Sequence, residues 1–111
     1  MTVTQTAANG LREGYRGHTQ SWEGVIKQGS KVVWACGHRH HNRDIATTRH
    51  SSARSCAWLM LQLVTNSDYL PALRRWAPLN NDPKAHETLR IAEAYSEAAD
   101  RVRSRLFPDR D

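Results

Sequence analysis

The chain has 111 residues, 39% of them hydrophobic and 24% charged, with a formal net charge of +5. That balance describes an ordinary small soluble domain with a real core and little stability to spare. The longest apolar run, from Ala57 to Leu61, is far short of the about 20 residues that cross a bilayer. No basic-then-apolar stretch opens the sequence, so no secretory signal and a cytoplasmic setting are expected.

The charge is uneven. Residues 1–57 hold eight Lys and Arg against three Asp and Glu, while residues 58–111 balance at eight of each. The excess is carried mostly by arginine, whose planar fork suits phosphates and base edges. A basic half beside a neutral half points to nucleic acid or an acidic host protein as partner.

Residues 1–12 lack periodicity and read as a flexible arm. From residue 13 the chain reads as a single domain, with a basic part to residue 66 and a helical part from 67. Strand formers from His18 to Lys27 predict one strand. Gln28-Gly29-Ser30 predicts a turn, and Lys31 to Cys36 a second strand, which together make an antiparallel β-hairpin. Residues 45–49 are a candidate third strand. Ser51 or Ser52 then caps a central helix over 52–65. Its Ala53, Cys56, Ala57, Met60, Leu61 and Val64 fall on one face, and Trp58, Leu59 and Leu63 make the opposite side apolar, as in a helix covered on two sides.

Asp68 is placed to cap a short helix over 69–77 carrying Leu70, Leu73 and Trp76. Asp82 followed by Pro83 is a helix start, and the last helix runs over about 83–106 with a stripe of Ile91, Tyr95, Ala98 and Val102. Glu97 and Arg101 form an i,i+4 pair on it. The predicted fold is α+β: a hairpin of two or three antiparallel strands packed on a central helix, then a short helix and a long C-terminal helix.

Chemistry-bearing residues crowd into one stretch. Both cysteines, Cys36 and Cys56, four of the six histidines and four of the thirteen arginines lie between residues 36 and 56. In a reducing compartment such cysteines are thiols or metal ligands rather than a disulfide. A structural zinc takes four Cys and His ligands. If the second strand continues through Gly37, then Trp34, Cys36, His38 and His40 share a face, because side chains alternate. Cys56 lies on the helix stripe that covers it. Cys36, His38, His40 and Cys56 are therefore the candidate zinc ligands, with His41 and His50 in reserve. Plain packing is the competing explanation for Cys56, since free cysteine is among the most buried residue types.

The same stretch carries a row of arginines. Arg39, Arg43, Arg49 and Arg54, with Lys27 and Lys31 beside the hairpin turn, are the candidate nucleic-acid contacts. A His/Asn metal-dependent nuclease is the catalytic alternative. It needs a carboxylate or a second histidine on the following helix, and that helix offers serine, arginine, cysteine and apolar groups instead, so a non-enzymatic role is expected.

The words Trp34-Ala35-Cys36-Gly37-His38-Arg39-His40 and Ala53-Arg54-Ser55-Cys56-Ala57 resemble a pattern in small proteins of actinobacteria and their phages. There a strand ends in Trp-x-Cys-Gly-His-x-His and a helix follows with Ala-x-x-Cys-Ala. The resemblance covers residues 32–57, with 42–50 standing as an insertion, and implies a short phage-type accessory protein. In element order the chain is also similar to the arm-binding domains of phage tyrosine integrases, an analogy of architecture. The expected function is a small basic DNA- or RNA-binding accessory protein with a structural zinc. The alternative is a protein–protein module acting on a host protein, or a homodimer, through the C-terminal helices.

Overall fold

The computed structural model describes residues 10–44 and 52–107. The fold is α+β. A three-stranded antiparallel sheet of β1 (Leu11–His18), β2 (Ser21–Gln28) and β3 (Lys31–Ala35) packs on helix α1 (Ala53–Thr65). A short helix α2 (Tyr69–Trp76), a 3₁₀ turn (Ala77–Leu79) and the long helix α3 (Pro83–Leu106) follow. The chain falls into two compact units. One spans Gly10–Leu61 and the other includes the chain from Gln62 onward, so the division lies inside α1.

In the first unit β2 is the central strand. The β2–β3 hairpin is the predicted one, turning at Gly29 with φ +63°. The third strand lies at the other edge, ahead of the hairpin. Leu11 and Arg12, read from sequence as part of an arm, pair with Gln28 and Lys27. The candidate strand at 45–49 and residues 1–9 of the arm lie outside the described residues.

The stretch read as one strand from His18 is interrupted by a two-residue turn, Thr19-Gln20, with φ of 25° and 60°. Neither residue is a usual turn former, so the turn left no sequence signal. Two non-glycine residues at positive φ carry a conformational cost that Asn-Gly avoids. Replacing Thr19-Gln20 with Asn-Gly is expected to stabilise the protein by about 0.5–1 kcal/mol, read as a higher midpoint of urea unfolding at unchanged slope.

Gly24 allows α1 to approach the sheet. A Cβ at that position would stand 2.3 Å from the Ala53 carbonyl oxygen and 3.2 Å from the Ala57 nitrogen. The core of this unit holds Val25, Ile26, Ala53, Cys56, Ala57, Leu59 and Met60, all fully buried. The apolar character of α1 on both sides is thus used in burial.

The second unit is helical. Asp82 caps α3 as predicted, its carboxylate accepting the Lys84 N–H at 2.9 Å with Pro83 in the first turn. Asp68 does not cap α2: its side chain makes no cap bond, and Asn66 accepts the Asp68 N–H instead at 3.1 Å. Arg74 reaches from α2 to Glu93 on α3 with two bonds of 2.6 and 2.9 Å. Arg103 donates to the carbonyls of Leu63 and Val64, satisfying acceptors that the end of α1 leaves open. The Glu97–Arg101 pair forms at 3.0 Å. Ile91 and Val102 of the predicted stripe are buried.

Candidate metal centre

The centre is built on the first turn of α1 and the chain that follows β3. Ser52 starts the helix. Its hydroxyl accepts the Ser55 N–H at 3.2 Å, and the Ser55 hydroxyl accepts the Ser52 N–H at 3.3 Å, a capping box with serine in both roles. The next two orphan donors go to a neighbouring strand of backbone: Ala53 N–H to the Asn42 carbonyl (3.0 Å) and Arg54 N–H to the Arg43 carbonyl (2.9 Å). The helix start is thereby tied to the segment that follows the histidines. Cys56 sits fully buried in this first turn.

β3 does not run through Gly37. It ends at Ala35, and only the Cys36 N–H continues the ladder, to the Gly24 carbonyl at 2.9 Å. Gly37 turns away with φ +80°. Residues 37–39 loop out opposite Glu23, and His40 rejoins β2 by two bonds with Trp22, of 2.9 and 2.6 Å. Cys36 and His40 therefore sit across from Gly24 and Trp22, two residues apart on β2 and on one face. The predicted sharing of a face holds for Cys36 and His40, and the loop rather than strand alternation supplies His38.

Glu23 ties down the loop. Its carboxylate accepts the Gly37 N–H at 3.1 Å and the Arg16 Nε–H at 2.8 Å. Its pKa is lowered, first by the Arg16 hydrogen bond, with burial opposing. It is thus a structural anion rather than a proton carrier.

The ligand atoms of Cys36, His38, His40 and Cys56 all lie within 4.8 Å of one another. Cys36 Sγ is 3.7 Å from His40 Nε2, and Cys56 Sγ is 3.8 Å from His38 Nε2. Tetrahedral zinc, at about 2.3 Å from sulfur and about 2.05 Å from nitrogen, separates such pairs by about 3.6 Å. The donor set and its spacing therefore fit zinc. His38 Nδ1 lies 3.1 Å from the Cys36 carbonyl oxygen, which only accepts, so Nδ1 carries the proton and Nε2 presents its lone pair to the cluster. The Gly24 N–H donates to Cys36 Sγ at 3.3 Å. The Cys36 pKa is lowered to about 4, chiefly by the Cys56 thiol beside it, with burial working the other way and backbone bonds from the His38 and Gly24 positions and the His40 ring assisting. A sulfur held as thiolate is a metal ligand that has already lost its proton.

Among the described residues this is the one such group of ligands. Of the two reserves, His41 is exposed and His50 lies outside the described residues.

Among the described residues, Lys27 and Lys31 stand apart from the ligand loop that carries Arg39. Lys31 pairs with Gln28 and Lys27 with Val32, at one end of β2; His40 pairs with Trp22 at the other, about 20 Å away at about 3.3 Å per residue. Arg39 is exposed on the ligand loop. Arg43 stacks over Tyr15 and Trp22, 5.3 and 5.7 Å from the ring centroids, a contact the sequence did not signal because it depends on β1 folding back on β2 at Thr19-Gln20. Arg54 lies 3.8 Å from Glu13, and the side chains of Arg43 and Arg54 are about half exposed. Arg49 lies outside the described residues.

No family model, curated protein sequence or solved structure matches this chain, so its function is read from the site itself.

Proposed function

We propose that the protein is a small, non-enzymatic nucleic-acid-binding module held in shape by one structural zinc, of the phage-type accessory kind its sequence resembles. The observation that carries the reading is the convergence of two sulfurs and two imidazoles within 4.8 Å from a loop and a distant helix turn. Four protein ligands close the coordination sphere and leave no position for substrate, which distinguishes a structural zinc from a catalytic one. A zinc there joins loop 36–40 to α1 and sets the direction of Arg39 and of Arg43, the latter braced on its two rings. Cysteines kept as metal ligands suit a reducing cytoplasm.

Contact through Arg39, Arg43 and Arg54 neutralises about three phosphates, so log K falls with log salt at a slope of about −2.7 on duplex DNA. Raising salt from 50 to 200 mM should weaken binding about 40-fold. The double variant Arg39→Ala/Arg43→Ala is expected to flatten the slope by about 2 while leaving the fold and zinc content unchanged. Fluorescence anisotropy against mixed DNA and RNA oligonucleotides measures this, and no binding to either at low salt sinks the nucleic-acid reading.

One observation favours a second reading, a protein-binding module aimed at a host protein. In the helical unit Trp76 and Leu79 stand 54% and 84% exposed. Trp76→Ala with Leu79→Ser then abolishes partner capture and leaves nucleic-acid binding untouched.

A further inference from the structure

The two sulfurs of the metal centre are unequal. Cys36 is half-buried at the mouth of a loop, while Cys56 is fully buried beneath it. With all ligand atoms within 4.8 Å, the sulfurs need close by at most about 2.8 Å to reach a disulfide bond length of about 2.05 Å. The loop is open beside Gly37, which bends at φ +80° and has, among the described residues, no atom within 4 Å of where a side chain there would begin, and its backbone N–H is held to the sheet through one bond, to Glu23.

We propose that Cys36 and Cys56 are an oxidative modification site, in which a hydroperoxide converts the zinc-holding thiolates into a Cys36–Cys56 disulfide and ejects the metal. This rests on the zinc reading above. Cys36, the reachable sulfur, attacks the peroxide. An S–O bond forms, the O–O bond breaks, and hydroxide leaves with the two electrons that sulfur gives up. The Cys56 thiolate then attacks the Cys36 sulfenic acid. The S–S bond forms, the S–O bond breaks, and the second oxygen leaves as hydroxide. With two protons taken up, one hydrogen peroxide becomes two waters and two thiolates become one disulfide. His38 and His40 alone hold zinc too weakly to retain it. A thiol reductant restores both thiolates and the metal site.

The test uses the full chain, purified under reduction without a His tag. Zinc content is measured first, and a value near zero overturns the metal reading and this inference with it. Hydrogen peroxide is then added in the presence of a chromogenic zinc chelator. The expected result is release of about one zinc per chain, loss of both thiols and reversal by dithiothreitol with added zinc. Trypsin cuts after Lys31, Arg39, Arg54 and Arg74, so peptides 32–39 and 55–74 should migrate as one species before reduction and as two after it. In Cys56→Ser the reaction should stop at a sulfenic acid on Cys36, trapped by dimedone. Zinc retained after peroxide, sulfinic acid on either sulfur, or cross-links between chains in place of the 32–39 to 55–74 linkage overturns the inference while leaving the zinc reading intact.

Discussion

Stripping the metal with a strong chelator is expected to lower the melting temperature by about 15–30 °C. A ligand that binds only the folded chain, present at 1,000 times its dissociation constant, contributes about 4 kcal/mol, and each kcal/mol moves the midpoint of a domain this size by about 4–8 °C. The geometry would couple folding to metal binding. Cys36 and His40 belong to the β3 side of the sheet, His38 to the looped-out residues, and Cys56 to α1, so the four ligands converge only in the folded unit.

Cys56→Ala separates the metal from packing. It removes a ligand without burying a stray polar group, so the variant should melt close to the chelated wild type and gain nothing from added zinc. A Cys56→Ala protein that melts with the zinc-treated wild type would mean that the cluster is packing and nothing more. Differential scanning calorimetry, with zinc content measured on the same samples, reads both outcomes.

The second large effect is expected from one glycine. Gly24→Ala places a methyl group 2.3 Å from the Ala53 carbonyl oxygen and 3.2 Å from the Ala57 nitrogen. Both are helix backbone, so no side chain can rotate out of the way, and α1 must lift from the sheet. The expected loss is about 3 kcal/mol or more, at the upper end of overpacking costs. The lift also withdraws Cys56 from its three partners, and the Gly24 N–H that donates to Cys36 Sγ moves with the strand. Zinc affinity should fall by about 10-fold to 100-fold, as it does when supporting hydrogen bonds around a metal are lost.

Gly14→Ala is the control. Its Cβ would meet only Val25 Cγ2, at an ordinary 3.8 Å. Its stability should change by less than about 1 kcal/mol, and its zinc affinity should stay the same. Urea unfolding and competition against a zinc indicator measure the pair. Equal behaviour of the two variants would show that the close approach of α1 at Gly24 has no energetic weight.

Much of the architecture was legible because it rests on local rules. The stripe of Ala53, Cys56, Ala57, Met60 and Val64 follows helical spacing, and all five residues are fully buried. Asp82-Pro83 starts α3 because a carboxylate acceptor and a fixed φ suit a helix N-terminus wherever they occur. β1 was not legible. Its pairing is long-range, its turn uses Thr19 and Gln20 at positive φ, and glycines interrupt its alternation at Gly14 and Gly17. Asp68 misled because Asn66, two residues earlier, accepts the N–H that marks the helix start.

The candidate ligands divide along the same line. Sequence alone determined which residues can hold a metal, since zinc chemistry needs thiolate and imidazole and the chain places both cysteines and four histidines within residues 36–56. It did not determine how they meet. Strand alternation through Gly37 is a local rule, but the positive φ at Gly37 and the return of His40 to Trp22 depend on bonds across the sheet. The separation of Lys27 and Lys31 from the Arg39 loop by the length of β2, and the seat of Arg43 on Tyr15 and Trp22, likewise belong to the tertiary structure. Residue chemistry travels with the chain; distance between residues is set by pairing across it. Cys36 and Cys56, 20 positions apart, become neighbours because Gly24 carries no side chain to keep a helix away.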